Sequence, residues 1–230
     1  MTTRSWLPIV LSVNAGFVDT SGFLALHGLF TAHVTGNFVT IGASLVTGTS
    51  GIVTKLLALP TFCIVIVLVR QLHYWLVEKK WSVVRTLLLI KLLLLIFAAA
   101  CAIHFGPFEH SDTLSGAVTG LSLVAAMAIQ NALHRVHMGT TPPSTMMTGT
   151  TTQIMLDVAD WLRRPEPGEH RVIGPKLIPM LQAVCVFAFG CAMGAYSYAA
   201  WSTWCFVIPP FIALIAFFLR DPSLDSSTAK

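Results

Sequence analysis

The side chains of this chain most able to do chemistry lie inside apolar segments. Asp19 follows Gly16-Phe17-Val18 in the first apolar segment, and Lys91 stands among leucines and isoleucine in a later one. Ionisable residues within a membrane segment are costly, and they usually face a cavity or pair with one another. The pattern therefore predicts a proton, cation or anion site at Asp19 and Lys91. The alternatives are a structural ion pair between the two and, for Asp19, capping of the nearby loop.

A polar motif occurs twice in the sequence. The first copy joins Asp19 to Thr35-Gly36-Asn37, and the second joins Gln130-Asn131 to Thr148-Gly149-Thr150. The spacing is 16 positions from Asp19 to Thr35 and 17 positions from Asn131 to Thr148. Such a duplication indicates an internal repeat, and repeated broken segments are where membrane transporters bind ligands. Both copies, together with Lys91, are therefore predicted to form a substrate-binding site.

The composition indicates an integral membrane protein. Of 230 residues, 55% are hydrophobic and 10% are charged, whereas a soluble domain has about 25% charged residues. The net charge of +4 arises from basic residues in the connections, so it reflects orientation in a bilayer and not nucleic-acid binding. The predicted partners are the lipid bilayer and an unidentified small molecule or ion. The oligomeric state stays open, a homo-oligomer included.

Eight helical segments are visible, and two of them are short. The second and sixth would measure about 18 and 21 Å at 1.5 Å per residue, too little to cross a core of about 30 Å. The segments are predicted at residues 6–26, 36–47, 51–76, 81–104, 114–134, 149–162, 175–198 and 204–219.

Charge in the connections predicts the topology. Basic residues follow the third segment and also the sixth, whereas the connection around Glu109 has none. Both basic connections can be cytoplasmic only if the short segments do not cross. These basic residues are Lys79, Lys80 and Arg85 after the third segment, and Arg163, Arg164, Arg171 and Lys176 after the sixth.

The predicted fold is an all-α integral membrane protein with an inverted repeat of two halves. Each half has three crossing helices and one short re-entrant half-helix. The halves are residues 1–105 and 113–220 of a single membrane domain, 1–230. Both termini, with Arg4 at one and Arg220 and Lys230 at the other, are expected in the cytoplasm.

The repeated Thr-Gly pairs are expected to open the half-helices. Thr35 and Thr148 are predicted N-caps, and Gly36 and Gly149 would allow close approach of a ligand. The preceding stretches, 27–33 and 138–144, should be non-helical, because such backbone at membrane depth must line protein or a cavity. The two half-helix N-termini would then face each other across one central site.

No catalytic set is present, so an enzyme is not expected, and neither is a cofactor. His134 and His137 are three positions apart, but no nearby cysteine or carboxylate completes a metal site.

The sequence resembles the YoaK family of bacterial multi-pass membrane proteins, a family without an assigned function. The resemblance rests on residues 14–19 (NAGFVD), residues 30–37 (FTAHVTGN), Gln130-Asn131-Ala132 and Thr148-Gly149-Thr150. It implies a protein of the bacterial cytoplasmic membrane and adds little about chemistry.

The function predicted from these features is a transporter or channel for a small molecule or ion. Helix amides and Lys91 favour an anionic substrate, either a small anion or an anionic metabolite that bears a carboxylate, with Asp19 as the group that would couple protons. The alternatives are a non-transporting assembly, sensory or regulatory protein, and an intramembrane enzyme acting on lipid or quinone.

Overall fold

The computed structural model describes residues 6–139, 141–145, 147–163 and 170–219, and for 170–176 only the helix backbone. These residues form eight α-helices and two 3₁₀ turns, and none of them lies in a strand. The eight predicted segments are confirmed, and the stretches predicted to be non-helical are confirmed wherever they are described. The helices are α1 (Leu7–Ala25), α2 (Asn37–Thr47), α3 (Ile52–Glu78), α4 (Val83–Phe105), α5 (Leu114–His137), α6 (Met147–Leu162), α7 (His170–Trp201) and α8 (Ile208–Phe218).

The largest differences from the sequence prediction lie at the last two helices. Helix α7 begins at His170, five positions before the predicted start at 175. Helix α8 begins later than predicted, because Ser202–Val207 first form a 3₁₀ turn. Proline occupies the first turn of α8, where its missing N–H costs no helical hydrogen bond.

Five stretches of the described chain are long and apolar enough to span a membrane. Four of them are α1, α3, α4 and α5, and the fifth runs over 42 residues from Leu177 to Phe218. A straight helix of that length would measure about 63 Å, twice the thickness of a hydrocarbon core. The stretch contains α7, the 3₁₀ turn and α8, so its length suffices for two crossings.

The two helices that bear the repeated motif are the most enclosed. In the apolar windows of α5 and α1, 72% and 61% of residues are buried, against 22% in α3. Helix α1 packs against α7, and α5 packs against α3. The short helix α2 lies on α3, and the short helix α6 lies on α7. Helix α1 of the first half thus packs on α7 of the second half, and α5 of the second half packs on α3 of the first half.

Glycines bring α1 and α7 into backbone contact. A Cβ added at Gly190 would collide with the carbonyl oxygen of Val13, and one at Gly194 would lie 2.7 Å from the carbonyl oxygen of Phe17. A Cβ at Gly16 would in turn meet the carbonyl oxygen of Phe187. Gly190 and Gly194, four positions apart on α7, therefore form a packing surface, an arrangement typical of close helix–helix contact.

A carboxylate from the connection between α4 and α5 caps α3. Asp112 accepts hydrogen bonds from the backbone amides of Gly51 at 3.0 Å and Thr54 at 2.9 Å. Partial burial raises the pKa of Asp112, but these hydrogen bonds outweigh it and hold the pKa below its usual value. The contact ties the connection between α4 and α5 to the start of α3 at one end of the bundle.

Candidate functional site

Asp19 fastens the first loop, residues 26–33, onto α1. The side chain is 4% exposed, and its Oδ1 accepts hydrogen bonds from the backbone amides of Thr31 and Ala32, each at 2.7 Å. The Thr31 hydroxyl donates to the same oxygen at 3.2 Å. On the other side, Oδ2 of Asp19 lies 2.6 Å from Nδ1 of His33, an ion pair when the imidazole is protonated. The buried carboxylate is thus surrounded by donors from one loop.

The local sequence explains why the first loop turns back over α1. After α1 ends, His27 and Gly28 adopt positive φ angles of 53° and 87°, which a helix cannot continue. Further along, Asn37 closes the loop by accepting from the Phe30 amide at 2.8 Å and donating to the Phe30 carbonyl at 2.9 Å. The loop is therefore held at two points by side chains of the flanking helices.

A cavity of about 490 Å³ lies beside the first loop, and we call it the Asp19 cavity. Its polar side chains include Asp19 and His33, and the His33 side chain remains 35% exposed. Aromatic rings of Phe23, Phe30 and Phe187 form much of its wall. The arrangement is a carboxylate–imidazole pair at the edge of an apolar space, which is suited to holding or moving a proton.

Side chains of α5 hold the second loop, residues 138–145, of which 140 is not described, in a similar way. Asn131 stands where Asp19 stands in the first half, and its Oδ1 accepts from the Thr145 hydroxyl at 2.6 Å. His134 bonds through Nε2 with the Thr141 carbonyl at 3.2 Å. The amide of Gln130 donates to the Ser144 hydroxyl at 3.0 Å. Both polar motifs therefore fasten a loop to the helix that precedes it.

A second cavity, of about 600 Å³, lies between α3, α5 and the second loop, and we call it the arginine cavity. Its lining includes two arginines, three histidines and Asn131, and none of its described lining residues is acidic. The basic residues are Arg70 and His73 on α3, and His134, Arg135 and His137 on α5. The cavity therefore has a lining able to balance negative charge.

The sequence expectation that Lys91 pairs with Asp19 is wrong. Lys91 is fully buried, and its ammonium donates to Oε1 of Gln130. Gln130 in turn donates from Nε2 to the carbonyl oxygen of Leu11 at 2.9 Å. Leu11 precedes Asp19 by eight positions on the same helix, which corresponds to about 12 Å along α1. Lys91 on α4 is therefore linked through Gln130 on α5 to α1, at a point on α1 well away from the Asp19 carboxylate.

The predicted Thr-Gly caps are also wrong. Thr35 lies inside the 3₁₀ turn Val34–Gly36, and neither this turn nor α2 has a side-chain cap. Thr148 is the second residue of α6, so it stands within the helix and not before it. Asn37, and not Thr35, closes the first loop, because its amide group can pair with both backbone groups of Phe30.

The predicted binding residues are dispersed. Asp19 lines one cavity and Asn131 lines the other, and the two cavities share no lining residue. Lys91 and Gln130 form the buried network described above. The remaining predicted residues lie outside both linings: Thr35, Gly36, Asn37, Thr148, Gly149 and Thr150. The predicted residues therefore do not line one common cavity among the described residues.

Sequence reasoning assigned no role to His33, Arg70 or Arg135. Arg70 is a charged residue inside an apolar helix, the same signal that identified Asp19 and Lys91. His33 has no comparable signal, because only the folding of the loop brings it to Asp19. Among the described residues, no group of three or more histidine, cysteine, aspartate or glutamate side chains could hold a metal ion.

The helices and the enclosed polar residues define a multi-pass, all-helical membrane protein. Residues 7–219 match the family DUF1275, a protein family of unknown function, and the chain belongs to it. The resemblance to the YoaK family is confirmed, since that family lies within DUF1275. No curated protein matches the chain, and no solved structure matches it.

Proposed function

We propose that the chain is a transporter or channel for a small molecule or ion in the bacterial inner membrane, with a preference for anions. The observation that supports it best is the pair of cavities, each beside a loop fastened by the equivalent polar residue of its half, Asp19 or Asn131. A protein that only assembles with partners has no evident need for two such cavities. We propose these two loop-lined sites in place of one central site.

The packing of the helices supports an inverted repeat. Exchange of the two halves converts the contact of α1 with α7 into the contact of α5 with α3, and both contacts are present. The same exchange converts the contact of α2 with α3 into that of α6 with α7. Six crossings would put the connections after α3 and after α6 on the cytoplasmic side, in agreement with their basic residues. The terminal and connecting residues Arg4, Arg164, Arg220 and Lys230 lie outside the described residues.

In this topology the two cavities belong to opposite halves of the membrane. The arginine cavity is lined by the ends of α3 and α5, close to Lys79 and Lys80, and would face the cytoplasm. The Asp19 cavity is lined by the end of α1 and by the later part of α7, and would face outward. Alternating access opens a path to each side of the membrane in turn, and cavities on opposite sides would be the two entrances of such a path.

The charged groups support an anion with proton coupling. The basic lining of the arginine cavity favours negative charge, while the Asp19–His33 pair offers an exchangeable proton on the other side. An anion accompanied by a proton would move with no net charge. Asp19 and His33 would hold the proton, and Arg70 and Arg135 would attract the anion.

Flux into proteoliposomes tests this function. Vesicles containing the purified protein would be offered labelled chloride, phosphate, lactate and benzoate, with glucose and rubidium ion as non-anionic comparisons. We expect uptake of at least one anion above that of protein-free vesicles, reduced in Asp19→Asn and unchanged in Arg85→Gln, since Arg85 lines neither cavity. Uptake equal to empty vesicles for every solute, with folded protein, would refute transport and favour an assembly or sensory role.

A further inference from the structure

The arginine cavity has two guanidinium groups with capacity to bind a ligand. Arg70 donates from Nε to the Tyr74 hydroxyl at 3.0 Å, and its guanidinium stacks over the Tyr74 ring at 4.6 Å. This contact holds the arginine, and no described residue accepts a hydrogen bond from its two terminal nitrogens. Arg135 makes no ion pair with any residue in the described part of the chain. Guanidinium groups recognise planar carboxylates through paired hydrogen bonds.

Two imidazoles of the same lining have unsatisfied nitrogens. Nδ1 of His73 and Nδ1 of His134 are buried, and neither has a hydrogen-bond partner among the described residues. Buried polar atoms in proteins are almost always hydrogen-bonded, so each such exception calls for an explanation. A bound ligand, directly or through a water molecule, would supply these nitrogens with hydrogen-bond partners.

The remainder of the cavity is apolar. Carbon side chains from α3, α4 and α5 form much of its wall, among them Phe62, Ile66, Val69, Leu87 and Val136. A hydrated inorganic anion would gain nothing from such a surface, whereas a hydrocarbon or aromatic body would be removed from water against it. The volume of about 600 Å³ lies within the range of sites for small organic molecules, and a two-chain phospholipid would exceed it.

We infer that the arginine cavity binds an organic carboxylate with an apolar body, its carboxylate at Arg70 and Arg135 and its body against the walls from α3 and α5. The inference rests on the proposed transport function, for which it names the substrate class. It differs from the site expected from the sequence, because none of the repeated Thr-Gly residues takes part. Asn131 is the single residue of the repeated motif in this lining.

Equilibrium dialysis with labelled 2-naphthoate tests the inference. The protein would be held in phosphatidylcholine nanodiscs, and the neutral 2-naphthamide would serve as the matched probe. We expect saturable binding of naphthoate, at least tenfold tighter than binding of the amide. Arg135→Gln and Arg70→Gln should each weaken naphthoate binding by about 10- to 100-fold, the usual effect of losing hydrogen bonds to a charged group. Binding of the amide should change little.

Three further variants and one lipid control make the outcome decisive. Arg135→Lys keeps the positive charge and should lose less affinity than Arg135→Gln, whereas Arg85→Gln should bind as the wild type does. Equal binding of naphthoate and naphthamide, or naphthoate binding unaffected by either arginine substitution in folded protein, would overturn the inference. Binding of phosphatidylglycerol that displaces naphthoate from the wild type, and that is itself lost in Arg135→Gln, would also overturn it, because the site would then take lipid headgroups.

The flux measurement tests transport and the binding measurement tests the carboxylate site, so the two proposals can be refuted independently. Naphthoate binding without uptake of any anion would refute transport and leave the carboxylate site standing. Uptake of chloride or phosphate without naphthoate binding would support transport and refute the carboxylate site.

Discussion

Replacing Asp19 tests whether its carboxylate holds the first loop. Asp19→Ala would leave the buried amides of Thr31 and Ala32 without their acceptor, and His33 without its partner. An unsatisfied buried donor costs about 1–3 kcal/mol, so the two amides together predict a loss of about 2–6 kcal/mol in the free energy of unfolding. Asp19→Asn keeps one acceptor oxygen for both amides, so its loss should be smaller, about 1–3 kcal/mol.

The second half supplies the matched control. Asn131 accepts one hydrogen bond from the second loop, from the Thr145 hydroxyl, and no backbone amide of the described loop donates to it. Asn131→Ala should therefore cost only about 0.5–1.5 kcal/mol. The expected order of destabilisation is Asp19→Ala, then Asp19→Asn, then Asn131→Ala.

The assay is reversible unfolding of the detergent-solubilised protein by SDS, followed by tryptophan fluorescence, with hydrogen exchange at the loop amides. Protection of the Thr31 and Ala32 amides should persist in Asp19→Asn and disappear in Asp19→Ala. Equal losses in Asp19→Ala and Asn131→Ala, with the loop amides still protected, would refute the reasoning. Equal losses in the two Asp19 variants would mean that charge, and not the hydrogen-bond pattern, holds the loop.

The same series tests the ion pair that the sequence predicts and the structure lacks. Asp19 and Lys91 share no hydrogen-bond partner among the described residues. Lys91 is linked through Gln130 to Leu11, which lies about 12 Å from Asp19 along α1. Sites so far apart lose stability additively. The double variant Asp19→Asn with Lys91→Met should therefore show the sum of the single losses. A double variant more stable than Lys91→Met would instead show that the two side chains do pair.

Three other perturbations have definite expected outcomes. Gln130→Ala should lower the free energy of unfolding by about 3–5 kcal/mol and Lys91→Met by about 1–2 kcal/mol, because only the first leaves a buried ammonium without its acceptor. SDS unfolding measures both losses. Gly149→Ala, where an added Cβ meets nothing within 4 Å, should raise stability by up to about 1 kcal/mol, while Gly190→Ala should lower it strongly, as thermal unfolding would show. Asp112 has a lowered pKa in the folded protein, so its cap stabilises fully above the unfolded value of about 3.9 and is lost as pH falls through the folded value. Stability measured between pH 2 and pH 6 should therefore fall less steeply in Asp112→Asn, and an unchanged slope would exclude the cap.

The helices could be located from the sequence because their ends carry local signals. Thr113 accepts from the Gly116 amide at the start of α5, and Ser82 accepts from the Arg85 amide at the start of α4. Gly48, with φ of 68°, ends α2 in the left-handed conformation. Each signal involves residues a few positions apart, and such signals are visible without knowledge of the fold.

The site was harder to predict because its contacts are not local. The position of Asp19 inside an apolar helix identified it as important, but its partners come from a loop that turns back over the same helix. The sequence places Lys91 and Asp19 inside apolar segments, which predicts that they pair, while in the structure Lys91 donates to Gln130 from a neighbouring helix. The arginine cavity depends on α3 packing against α5, which no spacing in the sequence reveals.

The claim on which the account depends is that the two halves run in opposite directions through the membrane. Cysteine labelling in intact cells tests it directly, after replacement of Cys63, Cys101, Cys185, Cys191 and Cys205. A membrane-impermeant maleimide added outside should reach Glu109→Cys and should miss Lys80→Cys and Arg163→Cys, all of them exposed positions. Labelling of Arg163→Cys from outside, with Lys80→Cys protected, would contradict the inverted repeat and the opposite facing of the two cavities.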